Sequence, residues 1–551
     1  MDIQSARFHI IKKETKRKRF LLFAETVVLI SSLTAFPLPV KAQNSFVEYQ
    51  EPEFLTFDEL KVLSGNPHPG GRIEKKLERF WTTPIISNQA YYRGSRPIRP
   101  VSPELGPYLR LVSWNIEKSI RMREAITAFS SHSKFPALID TGKIEEGSDD
   151  YTDILRQRNK LGLADVIVLQ EMDIGVKRSG YINAAAELAG ALNMNYAYGA
   201  EQLEVDPVML GTEKLYYEGG GLDQEATDYY TADPSRVKGA FGCAVLSRYP
   251  IKSVKVFQLK NQAYDWYAGE KPQTSFLEKA RRFGSKVVFA NELTREIKVG
   301  GRIFFRVDLE VPDLPYRTLT IINIHLEIKC LPQGREKQMR EILSYIAGIK
   351  NPVIMVGDFN SAPTDLSPTS TTRVLTRTAK DPETWVSAAT SVLLPNALVI
   401  NATRLTSKYT KNLQDPLAKD IPILSPNPCK PLFEMIEDFR FLDGKAFDFR
   451  GDKKRSVNGK RKTLANSNQR DFKGFKTTFQ VKRPLGPIIG KYRLDWIFVK
   501  SFLTSPKDKT GSYRFAPHFG ETLEEMNTGL IQPISDHHPN VVDIPFEEPK
   551  I

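Results

Sequence analysis

The sequence predicts an α/β protein of mixed sheets covered by helices. Two observations carry this reading: short apolar runs of strand length alternate with stretches of helical periodicity, and polar or ionisable residues gather at the ends of those runs. With 551 residues, 41% of them hydrophobic and 10% aromatic, the chain has the apolar mass for a large packed core. That composition excludes a disordered or fibrous protein.

The chain opens with Lys12, Lys13 and the run Lys16-Arg17-Lys18-Arg19, then the apolar stretch Phe20 to Val40, then Val40-Lys41-Ala42. This order is that of a secretion signal cleaved after Ala42, so export to the periplasm or the medium is expected, with an uncleaved membrane anchor as the alternative. Residues 43–108 form an N-terminal extension with helical stretches at Phe57 to Leu63 and about Ile73 to Trp81, separated by a Pro/Gly break.

From Leu109 the strand-length runs follow one another: Leu109 to Trp114, Asp165 to Leu169, Cys243 to Ser247, Ile303 to Val311, Thr318 to Ile324, Val353 to Val356 and Leu494 to Val499. Helices are expected at about Tyr151 to Leu161, Ile182 to Leu192 and Arg335 to Ile349, with the charges from Arg335 to Arg340 on a solvated face. This second part, residues 109–551, reads as one catalytic domain with insertions at about 201–238 and 365–491; the longer one exceeds any ordinary loop.

The net charge of +13 is uneven, because residues 1–42 contribute eight Lys/Arg against three Asp/Glu (+5) and the remainder +8. Between Arg450 and Lys476, ten Lys/Arg against two Asp give another +8, so the rest of the mature chain is near neutral. A local basic segment attracts a polyanion such as nucleic acid or an anionic lipid, or is simply a solvated loop. Cys243, Cys330 and Cys429 form neither a dense disulfide framework nor a zinc spacing; Cys243 and Cys330 lie in or beside apolar runs, so buried thiols are expected there, with one bridge as the alternative.

The chemistry lies in six blocks: Trp114-Asn115-Ile116-Glu117, Leu169-Gln170-Glu171, Asn323-Ile324-His325-Leu326-Glu327, Gly357-Asp358-Phe359-Asn360, Leu494-Asp495-Trp496-Ile497 and Ser535-Asp536-His537-His538-Pro539. Taken singly, Asn115 reads as a turn residue, Gly357 to Asn360 as a turn and His325 as a core histidine. Asp495, flanked by Leu494 and Trp496, needs a partner if buried, and His537 supplies one. As a set, oxygen ligands beside histidines suit hydrolysis of a phosphoester, where charge on the phosphoryl oxygens must be neutralised and a water activated.

These blocks, in this order, resemble the endonuclease/exonuclease/phosphatase superfamily, which includes deoxyribonuclease I, neutral sphingomyelinases and inositol-polyphosphate 5-phosphatases. Gln170 to Asp173 followed by Arg178-Ser179-Gly180, and Phe241 to Pro250, add to the resemblance. It implies a four-layer α/β sandwich of two mixed sheets flanked by helices, and Mg²⁺ or Mn²⁺ as cofactor. It implies metal ligation by Asn115, Glu117, Glu171 and Asp536, positioning of water and phosphate by Asp358 and Asn360, a His537 base or proton shuttle paired with Asp495, and a His325 hydrogen bond to the phosphate. The expected partner is a phosphoester, in nucleic acid or a phospholipid headgroup, with a monomeric enzyme and no obligate protein partner. A catalytically silent protein that binds a phosphorylated ligand is the alternative.

Overall fold

The structure is a computed structural model. It describes residues 46–216, 221–271, 296–361, 429–447, 478–485, 489–503, 513–515 and 518–547. Residues 1–42, expected to be a secretion signal, the basic segment 450–476 and most of the 365–491 insertion lie outside the described residues.

Two mixed sheets dominate. Across the larger one the strands run Tyr49–Gln50, Ile85–Ser87, Asn195–Glu204, Ala240–Ser247, Val166–Ile174, Gly106–Asn115, Asn540–Pro545 and His518–Thr522. The smaller runs Asp495–Lys500, Val353–Asp358, Thr318–His325, Ile303–Glu310 and Ile251–Gln258. Each holds one parallel pair near its middle, Gly106–Asn115 with Val166–Ile174 and Thr318–His325 with Val353–Asp358, among antiparallel neighbours.

The strands read as unbroken apolar runs because both of their faces are covered. Along Gly106–Asn115, Leu109 and Leu111 join the core between the sheets, whereas Val112 and Trp114 join the core under the outer helices. Val166 and Val168 likewise face inward and Ile167 and Leu169 outward. In the smaller sheet Ile354 and Val356 face inward while Val353 and Met355 meet the other helical layer. Asp149–Gly162 and Ala184–Leu192 supply Ile154, Leu161, Ala184 and Leu188 to one outer core; Pro332–Ile346 and Lys430–Asp438 supply Met339, Ile342, Leu432 and Phe433 to the other. The result is helices, sheet, sheet, helices, in four layers. Each fully buried Leu, Ile or Phe contributes about 1.5–3 kcal/mol, so the three cores far outweigh any single polar contact.

Local chemistry sets the helix ends. Ser148 accepts from the Tyr151 amide and Asn183 from the Ala186 amide as N-caps, and Asn193 closes Ala184–Leu192 at φ 48°.

Several elements depart from the sequence reading. The N-terminal extension is more than a preamble: Tyr49–Gln50 and Ile85–Ser87 extend the edge of the larger sheet, and the helices Phe57–Gly65 and Gly71–Thr82 carry Leu60, Leu63, Leu77 and Phe80 into its outer core. The strand Asn195–Glu204 runs past residue 201, where the first insertion was expected to begin. Arg335 is no solvated residue; it is 1% exposed and donates to Ser361 Oγ and to the carbonyls of Glu327 and Cys330. All three cysteines are buried, and no disulfide joins them.

Candidate active site

Strand alternation carries polar groups into the gap between the sheets. Asn115 continues the inward phase of Leu109 and Leu111, and Gln170 that of Val166 and Val168. On the smaller sheet Asn323 and His325 follow Ile321, Asp358 follows Ile354 and Val356, and Asp495 precedes Ile497 and Val499 in the same phase. Register then aligns them, because His325 pairs with Asp358 across the parallel ladder and Asp358 with Asp495 across the antiparallel one. The site is thus the polar end of the inter-sheet core.

Glu171 needs a different device, since simple alternation would turn it outward with Ile167 and Leu169. A register shift between Leu169 and Met172 and a φ of 59° at Glu171 re-aim it toward Asn115. Glu117 and Asn360 are also left-handed, with φ of 45° each. Such backbone strain concentrates where side-chain placement matters more than local comfort. Gly357, at φ 139°, is required: a Cβ there would stand 2.1 Å from the Ile324 carbonyl oxygen.

Hydrogen bonds tie the two sheets together at this point. Asn115 Nδ2 donates to Glu171 Oε1 at 3.2 Å and to Asp358 Oδ2 at 3.1 Å, and Gln170 Nε2 donates to Asn323 Oδ1 at 2.7 Å. The Glu117 amide donates to Asn115 Oδ1, and Glu117 Oε2 accepts from the Asp536 amide at 3.1 Å. Ser535 Oγ donates to the Asn115 carbonyl at 2.7 Å, pinning the C-terminal loop to the first strand of the site. The four residues expected to bind metal are therefore one connected arc.

The histidines lie on either side of Asp358. His537 Nδ1 is 2.8 Å from Asp495 Oδ2, and its Nε2 is 3.9 Å from Asp358 Oδ2. His325 Nδ1 is 2.9 Å from Glu201 Oε2, and its Nε2 lies 3.9 Å from Glu171 Oε1 and 4.0 Å from Asp358 Oδ2. Asp358 Oδ1 accepts from the Asn360 amide at 2.7 Å, and Asn360 Nδ2 donates to Asp358 and to the Leu326 carbonyl.

Electrostatics follow from burial and neighbours. Burial raises the Asp358 carboxyl above its ordinary range, and repulsion from Asp495 adds to it against the pull of His537 and His325. Burial works to lower His537, but Asp495, Asp358 and Asp536 outweigh it and hold the imidazole well above its usual range. For Glu171, burial is outweighed by His325, Lys118 and His537, so its carboxylate stays below the ordinary value.

Sequence motifs missed three participants. Glu201, fully buried at the end of Asn195–Glu204, holds His325; Arg302 Nη1 lies 2.7 Å from His325 Nδ1 and 3.1 Å from Glu201 Oε2, and Arg302 Nε donates to Glu327 Oε2. Thr478 Oγ1 donates to Asp495 Oδ2 at 2.6 Å and accepts from the Leu494 and Asp495 amides. His538 is 2% exposed and receives a 3.1 Å contact from Asn527 Nδ2, whose other bonds shape the same loop. Arg178 is committed to Asp173 and Glu204, and Arg248 to the Ala164 and Leu192 carbonyls.

Two tight groups of donors sit here, Asp358–Asp495–His537 and Glu201–Cys243–His325. The second is filled by the Arg302 guanidinium, which a cation would have to displace. In the first, His537 Nδ1 takes up Asp495 Oδ2 at 2.8 Å, while Asp495 Oδ1 is buried without a hydrogen-bond partner among the described residues. The arc Asn115, Glu117, Glu171 and Asp536 presents oxygen donors without thiol or imidazole, with Glu117 and Asp536 lining a cleft, which fits a hard divalent cation better.

No curated protein matches the chain. Solved structures similar to it include an endonuclease/exonuclease/phosphatase from Beutenbergia cavernae (15% identity, TM-score 0.33, covering 80% of this chain and 72% of that one). A family protein from Leptotrichia buccalis shares 13% identity at TM-score 0.31, over 80% of this chain and all (100%) of that one. The human nocturnin catalytic domain shares 12% at TM-score 0.32, over 80% and 96%. The model of the Endonuclease/Exonuclease/phosphatase family matches residues 112–537, a span that takes in every strand-end residue from Asn115 to His537. The chain belongs to the endonuclease/exonuclease/phosphatase family, whose members hydrolyse phosphoester bonds.

Proposed function

We propose that the protein is a Mg²⁺- or Mn²⁺-dependent phosphodiesterase in which water attacks phosphorus in line. The observation that supports this best is the row His325, Asp358 and Asp495 in register on one sheet, facing Asn115 and Glu201 on the other. Asn115, Glu117, Glu171 and Asp536 would hold the ion, which when bound neutralises charge on the phosphoryl and leaving oxygens. Asp358 and Asn360 orient the attacking water. His537, its Nδ1 engaged by Asp495, moves a proton at Nε2; His325, its Nδ1 engaged by Glu201, would turn Nε2, which lies 3.1 Å from Arg302 Nη1, to a non-bridging phosphate oxygen.

Export belongs to the same proposal and rests on the sequence of residues 1–42. So does the choice between nucleic acid and a phospholipid headgroup, where the basic segment 450–476 favours a polyanion. The test is turnover of DNA, RNA, sphingomyelin, phosphatidylinositol and a bis-aryl phosphate by the mature protein, with Mg²⁺, with Mn²⁺ and after dialysis into EDTA. Full turnover in EDTA would sink the metal reading. Absence of turnover on every substrate would leave the silent phospho-ligand binder.

A further inference from the structure

A cleft of about 240 Å³ opens beside Asp536, lined by Glu117, Arg121, Gln480, Thr528 and Gln532 as well as Asp536 itself. Around the site the other cations are committed: Lys118 to Glu296, Arg178 to Asp173 and Glu204, Arg302 to Glu201 and Glu327. Arg121 is the exception. It is half-buried, lines the cleft, and forms no ion pair or side-chain hydrogen bond among the described residues.

A guanidinium held partly out of water beside a cleft has lost hydration that an anionic ligand would restore. Its planar fork matches two oxygens of a phosphate. Gln480 and Gln532 add neutral donors around the same space. Arg121 also directly precedes the helix Met122–Ser130, which has no side-chain cap at its N-terminus, so the helix dipole adds to the positive potential. Ile531, 62% exposed, and Pro533 complete the lining with apolar surface for the carbon skeleton that carries the anion.

We propose that this cleft is a subsite for a second phosphate of the substrate, bound by Arg121, so that the preferred substrate carries a phosphate near the scissile one. The proposal rests on the phosphodiesterase reading, since Glu117 and Asp536 are what the cleft shares with the site. Two sources of that chemistry exist, a nucleotide chain and a phosphorylated polyol, and Arg121 serves either.

The test is calorimetric titration of the full chain with Mg²⁺, using thymidine 3′,5′-bisphosphate against thymidine 5′-monophosphate, and inositol 1,4-bisphosphate against inositol 1-phosphate. The wild type should bind one bisphosphate roughly 10- to 100-fold more tightly than its monophosphate, as for a charge-assisted contact. Arg121→Met should cut that ratio to about twofold, and Arg121→Lys should restore part of it. The pair showing the larger ratio identifies the scaffold. A wild type with no bisphosphate preference in either pair, or an Arg121→Met variant that keeps it, overturns the subsite. Turnover of bis-aryl phosphate, which carries no second phosphate, is read in parallel on the wild type. Its absence beside an intact bisphosphate preference would count against the hydrolase reading and not against Arg121.

Discussion

Glu201 and His325 come from different sheets and meet at 2.9 Å, with the Glu201 carboxylate wholly buried. The imidazole is thus oriented across the inter-sheet gap, and Arg302 supplies the positive charge that lets two buried carboxylates, Glu201 and Glu327, stand near it. Replacing Glu201 by Gln keeps the shape and removes the charge. Turnover of a bis-aryl phosphate should fall roughly 10- to 100-fold, chiefly in kcat, because His325 loses its orienting partner. A change confined to KM would assign Glu201 to packing alone.

His537→Ala should lower turnover by roughly 10² or more while the melting temperature stays within a few degrees, as expected for a group that moves a proton. Asp495→Asn should reproduce most of that loss, since it acts through the same imidazole. Thermal unfolding followed by circular dichroism separates lost chemistry from lost fold, and a variant that unfolds while its folded fraction remains fully active would make the residue structural.

Gly357→Ala meets two obstacles, a left-handed φ of 139° and a clash at 2.1 Å with the Ile324 carbonyl. It should destabilise the protein by about 2–4 kcal/mol and shift Asp358 as well. Urea denaturation measures the first effect. A stability loss under about 0.5 kcal/mol would mean that the ladder relaxes around the methyl group.

Glu521 gives the acid side of the stability curve. Burial alone would raise its pKa, but Arg156 and Lys160 pull it from the ordinary 4.5 down to about 2. A depressed folded value means stabilisation present above the unfolded pKa and lost as pH falls from 4.5 through about 2. The group contributes about 2–3 kcal/mol at neutral pH. Glu521→Gln should therefore lower stability at pH 7 and converge with the wild type near pH 2. Parallel curves across that window would remove the ion pair from the account.

Much of this was legible because the strand-end residues sit beside apolar runs whose inward phase carries them into the gap: Asn115, His325, Asp358 and Asp495 need no information beyond alternation and order. Glu171 was found by its motif, although alternation alone points it the wrong way; the bulge at Leu169–Met172 is invisible to periodicity. Glu201 lies in Asn195–Glu204, a strand of mixed Ala, Gly, Tyr and polar residues that gives no clear apolar run, so neither the strand nor its role stood out. Arg302 precedes an apolar run and Thr478 the mixed polar and apolar strand Phe479–Leu485, neither with a motif of its own. Arg335 was misplaced because helical charge clusters usually face solvent, and here carbonyls and Ser361 make burial affordable.

The hydrogen bonds Asn115–Asp358, Gln170–Asn323 and Glu201–His325 all cross from one sheet to the other. Neither half of the sandwich holds a working set alone, so hydrolysis acts as a gauge of alignment between the two sheets. A slip of one ångström between the layers, too small to change helix or strand content, parts His325 and Asp358 from Glu201 and Asn115. Swelling of the inter-sheet core around Val168, Phe305 and Ile354 should then silence the enzyme well before the fold melts.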